Sequence, residues 1–272
     1  MSTEQNLEFQ NQYFVISGVS NRKSVATHVA RNLGEAGAKL ILTVESEDHL
    51  ERAQKLFPEA QVFVVNVEKE EEVEQFGQKV AELGVSVSGF LHSLAFANYG
   101  GEMKPFHETQ WQDFAQANHI SCYSLISMTR ALKPCLANEA SVVTISISNT
   151  RATNYGFMGP IKAALDSSVA FLAKSLSYDS KVRANAVCSG PLKTSASAGI
   201  PGYIDNYLYA EKLTLRKEAL KTQEVANTVE FLLSSRSSGI NGTGLLVDAG
   251  MSCNYFDEEV VQTVNYGQSK DS

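Results

Sequence analysis

The sequence predicts one large α/β domain built on a doubly wound parallel sheet, and three observations carry that expectation. Short apolar, β-branched runs alternate with helix-periodic segments along nearly the whole chain. The runs are close to continuously apolar, the pattern of strands that crossover helices bury on both faces. The 272 residues, 43% hydrophobic and 19% charged, suffice for one sizeable core and show no composition break that would divide them.

The first run, YFVIS (13–17), stops at Gly18, and a helical pattern follows from Ser24 through Val25, Ala26, Val29, Ala30 and Leu33. A second run, AKLILTV (38–44), ends in Glu45; a third, QVFVVNV (61–67), precedes a charged helix over 68–83. Then come SGFLHSLAF (88–96), one long helix over about 107–137, SVVTIS (141–146), a helix opened by NYGFMGPIKAALD (154–166), VRANAVC (182–188), a helix over 222–233, and GLLVDAG (244–250). Residues 191–221, with Pro191, Pro201, Gly202 and three tyrosines, form a long connection of the kind that carries function in a compact domain. The domain is expected over 1–253, with 254–272 a polar, surface-lying or partly disordered tail. No fixed-period repeat or low-complexity segment interrupts the pattern.

A net charge of −7 and a pI near 5.3 disfavour nucleic acid or an anionic membrane as partner, since both are bound by clustered Lys and Arg. Cys122, Cys135, Cys188 and Cys253 have neither zinc nor disulfide-framework spacing, so no metal is expected and a reducing cytoplasm is the expected setting. The polar start MSTEQNLEFQNQ is not expected to act as a secretory leader, and no uninterrupted 18-residue apolar run follows.

Two places carry candidate chemistry. The turn GVSNRKS lies between the first strand and the first helix, where backbone N–H groups and the helix dipole favour a pyrophosphate and Ser20 and Ser24 add hydroxyls. The lone Gly18 is a weak fingerprint, equally an ordinary tight turn. Glu45 at the second strand end would accept from both ribose hydroxyls and repel a 2′-phosphate, which favours NADH over NADPH, although a strand-end charge alone is common. In NYGFMGPIKAALD, Tyr155 and Lys162 stand seven residues apart, two helical turns or roughly 10 Å along the axis. A lysine there could hold ribose hydroxyls while the phenol donates to an oxygen gaining charge. A packed tyrosine with a snorkelling lysine is the competing reading.

Together, SGVSNRKSVA (17–26), FLHSLAFAN (90–98), NHISCYS (118–124), the Tyr-x6-Lys stretch, RANAVCSGPLKTSASAGI (183–200) and LLVDAG (245–250) resemble the enoyl-acyl-carrier-protein reductases of the short-chain dehydrogenase/reductase superfamily. The resemblance implies a Rossmann-like single domain, an NADH cofactor, an acyl-carrier-protein enoyl thioester as substrate, and a homotetramer or homodimer. It implies cofactor contacts at Gly18, Ser20, Ser24, Val25, Glu45, Asn66, Val67, Ser93, Leu94, Ala95, Lys162, Leu192 and Thr194. Tyr155 and Lys162 would be catalytic, and Ala95, Ile147, Tyr155, Met158, Ser197 and Tyr203 would meet the substrate. The loop near 195–210 would close over the acyl chain.

The chain departs from that family in three places. Ile147 stands where a second active-site tyrosine is usual, Asn66 replaces an aspartate, and the portal GIPGYIDNYLYAEK lacks the family's basic residues. A reductase with another enoyl or carbonyl substrate, or a catalytically silent NAD(H)-binding protein, are the competing functional readings.

Overall fold

The computed structural model describes residues 8–194, 197 and 199–267. Seven strands, β1 (Tyr13–Ser17), β2 (Lys39–Val44), β3 (Gln61–Val64), β4 (Val87–His92), β5 (Leu136–Ile147), β6 (Arg183–Ser189) and β7 (Gly244–Val247), form one parallel sheet in the order 3-2-1-4-5-6-7. Parallel pairing forces long crossovers, and these are the helices on the two faces.

One face carries α3 (Glu70–Glu82), α4 (Trp111–Asn118), α5 (Ser124–Leu132) and α6 (Met158–Leu176), which pack Phe76, Leu125, Met128 and Leu165 around Phe90 and Val142. The other carries α1 (Val25–Glu35) and α2 (Glu47–Leu56), with α8 (Thr222–Leu233) further along the chain; Val29, Leu33, Val225 and Val229 meet Phe14, Ile16 and Leu91. Each such fully buried side chain contributes about 1.5–3 kcal/mol of transfer free energy. Between α6 and α8 lies α7 (Tyr203–Leu213), inside the connection 191–221.

Local chemistry explains the element ends. Ser24 caps α1, accepting from the Thr27 N–H at 3.2 Å. Arg183, 7% exposed at the start of β6, donates to the carbonyls of Leu232, Ser234 and Ser237 and so satisfies the C-terminus of α8.

Three expectations need correction, and the surface-lying tail proves to hold a helix. The helix expected over 107–137 is divided by a π-helical turn, His119–Tyr123, and ends in a short 3-10 turn at Lys133–Cys135 where Pro134 removes a donor. Strand β5 then starts at Leu136, five residues before the apolar run, because Leu136 pairs with Val87 across a register irregularity. The third strand stops at Val64, since Asn66 already folds back: its N–H donates to Glu72 and its side-chain oxygen accepts from Glu68 N–H. In the expected polar tail, Glu258–Tyr266 form α9, capped by Asp257, which also pairs with Lys217.

Gly18 fixes the spacing of the sheet's centre. Its φ is +93°, and a Cβ there would lie 2.2 Å from the Ser93 carbonyl oxygen at the end of β4. Strain and overlap act together, so Gly18→Ala is expected to lose about 3 kcal/mol of stability. A urea titration of the two proteins checks this; an unchanged midpoint would contradict it.

Candidate active site

Many of the residues expected at the site fall close after the carboxyl end of a strand, on the edge where open parallel sheets bind ligands, while Val25, Met158, Lys162 and Tyr203 stand on helices. Gly18 and Ser20 follow β1, Glu45 follows β2, Asn66 and Val67 follow β3, Ser93, Leu94 and Ala95 follow β4, Ile147 closes β5, and Leu192 and Thr194 follow β6. The strand order turns between β1 and β4, and it is there that the Gly18 turn backs onto Ser93.

At this edge Glu45 is exposed, an acidic group turned to solvent at the end of β2. Ser20 accepts from the Asn21 side chain at 3.0 Å, which leaves its own proton for a ligand. Ser24 is committed differently from the expectation. Its oxygen caps α1 and lies 2.9 Å from Thr27 Oγ1, so it shapes the turn rather than standing free to donate. The side-chain oxygen of Asn66 is likewise engaged in its own turn.

The geometry of Tyr155 and Lys162 also differs from two turns of one helix. Tyr155 ends a 3-10 turn, Thr153–Tyr155, and Gly156 then takes φ +59° before α6 starts at Met158. A side chain at 156 would strain the backbone and meet Met103 Sδ at 2.7 Å and Tyr99 at 3.0 Å. The glycine thus swings Tyr155 off the helix axis while Lys162 stays in its second turn.

Tyr99, which sequence reasoning missed, positions this turn. It is 8% exposed, stacks on Phe157 with ring centroids 4.7 Å apart, and donates to the Tyr155 carbonyl at 2.8 Å. Nothing in FANYGG singles it out, because its role depends on a contact 56 residues away. Its loop is pinned in turn by Ser121, on the π-helical turn, which accepts from the Phe96 N–H and donates to the Phe96 carbonyl.

Among the described residues, the hydroxyls of Tyr99 and Tyr203 have partners and that of Tyr155 has none. Burial pushes the Tyr155 phenol well above its ordinary value, and the neighbouring phenols of Tyr203 and Tyr99 push it further. It is therefore a protonated, unspent donor at neutral pH.

Lys162 is 3% exposed and donates to the Ile145 carbonyl at 2.8 Å, leaving two protons. Burial lowers its pKa from 10.5 to about 8, with Asp166 one turn on opposing the fall. Beneath it, His92 is fully buried, and burial with the Lys162 charge holds it down to about 3. Ser124 spends its proton on the Ile120 carbonyl at 2.6 Å, so it accepts from His92 Nε2–H at 2.7 Å, and His92 Nδ1 accepts from Thr144 at 2.9 Å. This neutral histidine ties β4, β5 and α5 together under the site.

Met158 is buried at the head of α6, and Ile147 is half-buried and paired in register with Ser189. No phenol extends from β5. A surface hollow of about 430 Å³ near Lys133 and Asp179 lies at the opposite end of β5, away from these groups.

The deciding observation is a sequence profile described as Enoyl-(Acyl carrier protein) reductase, which matches residues 18–252. The chain belongs to the enoyl-acyl-carrier-protein reductase family. It is 33% identical to the NADPH-type family member FabI of Staphylococcus aureus (strain MRSA252) over 90% of this chain and 98% of that one. With the NADH-type FabI of Nostoc sp. the identity is 32%, covering 87% and 94%. Among solved structures, the Bacillus cereus reductase with NADP+ and indole naphthyridinone superposes with TM-score 0.84 at 29% identity, covering 89% and 97%. The NADH-type reductase of Aquifex aeolicus VF5 gives 0.85 at 28%, covering 90% and 97%. The fold matches the doubly wound single domain expected.

Proposed function

We propose that this chain is an NADH-dependent enoyl-acyl-carrier-protein reductase of fatty-acid synthesis, with Tyr155 and Lys162 as its catalytic pair. The observation that carries the residue assignment is that Tyr155 keeps a hydroxyl with no partner among the described residues, while the buried Lys162 spends one proton on the Ile145 carbonyl near the carboxyl end of β5. The residues present suit a dinucleotide. The N-terminus of α1 offers N–H groups and dipole to a diphosphate, Ser20 adds a hydroxyl, and Glu45 and Lys162 are acceptor and donor for ribose hydroxyls. Val67, Leu94 and Ala95 would flank it, with Leu192 and Thr194 beyond β6.

NADH supplies the hydride for the β-carbon of a trans-2-enoyl thioester. Tyr155 holds its proton toward the thioester oxygen, where negative charge develops, and stabilises the resulting enolate before the α-carbon is protonated. Lys162 fixes the orientation of the dinucleotide and adds positive charge. Ile147, Met158 and Tyr203 give the acyl chain an apolar wall, and Ile147 contributes contact without the second proton donor usual in the family. Purified protein with crotonyl or longer thioesters should consume NADH, and NADPH more slowly because Glu45 repels a 2′-phosphate. No loss of NADH absorbance at any chain length would overturn the reading.

Assembly is a second proposal. On α6, Leu165, Val169 and Leu176 are buried in the chain's own core, whereas Phe171 is 75% exposed. We infer from Phe171, with Ile126 on α5 and Leu246 on edge strand β7, that the chain forms a homotetramer. A light-scattering mass of one chain at micromolar concentration would contradict this. No described helix is long and apolar enough to cross a membrane, and among the described residues no cluster of three ligating side chains could hold a metal. The cytoplasm is the compartment we propose.

A further inference from the structure

The Tyr203 hydroxyl makes two hydrogen bonds to a single residue: it accepts from the Leu192 N–H at 2.9 Å and donates to the Leu192 carbonyl at 2.9 Å. Ser197 reinforces the closure, donating to the same carbonyl at 2.9 Å and accepting from the Thr194 N–H at 3.0 Å. The backbone polar groups beyond β6 that a ligand would need are thus saturated by two side chains of the chain itself. Tyr203 is 8% exposed, and it is the first residue of α7, placed there by Gly202 in the left-handed region.

The two ends of α7 are held differently. At its far end the Leu215 N–H donates to the Ala249 carbonyl at 3.0 Å, a backbone tie to the turn after β7. At its near end the phenol of one side chain holds Leu192. The outer side of the helix carries half-exposed Ile204, Leu208 and Tyr209. A helix tied by backbone at one end and by a hydroxyl at the other can swing about the first when the second is released.

We propose that Tyr203 is a cofactor-displaced latch: its hydroxyl occupies the Leu192 peptide groups in the free protein, and an amide-bearing dinucleotide must exchange with it to bind. This rests on the reading of Leu192 and Thr194 as cofactor contacts. A carboxamide offers an acceptor oxygen and an N–H donor, the two roles the phenol fills toward Leu192, so the exchange leaves neither peptide group unpaired. The closed state lowers apparent affinity by the fraction of chains that are open.

Tyr203→Phe keeps the ring and removes the latch. In an NADH fluorescence titration the variant is expected to bind about fivefold more tightly than wild type, the change that one net hydrogen bond represents. Hydrogen exchange supplies a second readout that a purely structural role would not move: NADH should speed exchange at the first turn of α7 in wild type and leave the variant, already fast, unchanged. Wild-type binding with equal or weaker affinity in the variant would overturn the latch and leave the reductase reading standing. Absence of NADH binding in both proteins would overturn the two together.

Discussion

Tyr155→Phe is expected to lower kcat on enoyl thioesters by about 10²–10³ while leaving the NADH dissociation constant unchanged. The phenol oxygen has no partner among the described residues, so its loss breaks no internal bond of the fold, and the ring that packs against the hydrophobic core remains. The effect therefore belongs to the step in which the thioester oxygen gains charge. Because burial holds the Tyr155 proton far above neutral pH, wild type should show no alkaline loss of activity from this group. Steady-state kinetics with a parallel NADH titration check the prediction. A variant with wild-type kcat would remove Tyr155 from the chemistry.

Lys162→Ala is expected to act on binding instead, weakening NADH by about 10- to 100-fold, the range lost with a charge-assisted hydrogen bond in a buried site. The same lysine gives a pH dependence whose sign is fixed. Its pKa is lowered to about 8, so the ammonium is present below that pH and is lost above it. NADH affinity should decline as pH rises through about 8 in wild type and be flat in Lys162→Ala. Stability runs the other way. Below about 8 both folded and unfolded chains hold the proton; between about 8 and 10.5 only the unfolded chain does, so the contribution of Lys162 to stability rises with pH across that window. Calorimetric titrations at several pH values check the affinity. An identical pH profile in the two proteins would show that Lys162 is not the titrating group.

Much of this was legible in the chain because strand burial and crossover length leave a direct mark on sequence. YFVIS is the first strand residue for residue, and the helix over 222–233 has the boundaries its apolar period implies. The strand-end placement of Gly18 and Glu45 followed, since each lies where an apolar run stops. Features made by long-range packing were not legible. The spacing of Tyr155 and Lys162 signalled a pair, but the positive φ of Gly156 that takes Tyr155 off the helix depends on Tyr99 and Met103 filling the space beside it. The π-helical turn within 111–132 was not legible, because a single five-residue turn is too short to establish a period of its own. Leu136 belongs to β5 through its partner Val87, which no local pattern encodes. Tyr203 could be named as a substrate neighbour but not as a latch, since its bonds lie on a backbone eleven residues away.

The most direct test of the account is the fate of the transferred hydrogen. Wild-type protein supplied with deuterium-labelled NADH and a trans-2-enoyl thioester should yield the saturated thioester carrying deuterium at the β-carbon, with the α-hydrogen drawn from solvent. Label found at a carbonyl-derived alcohol carbon, or an unreduced double bond after NADH is consumed, would contradict it.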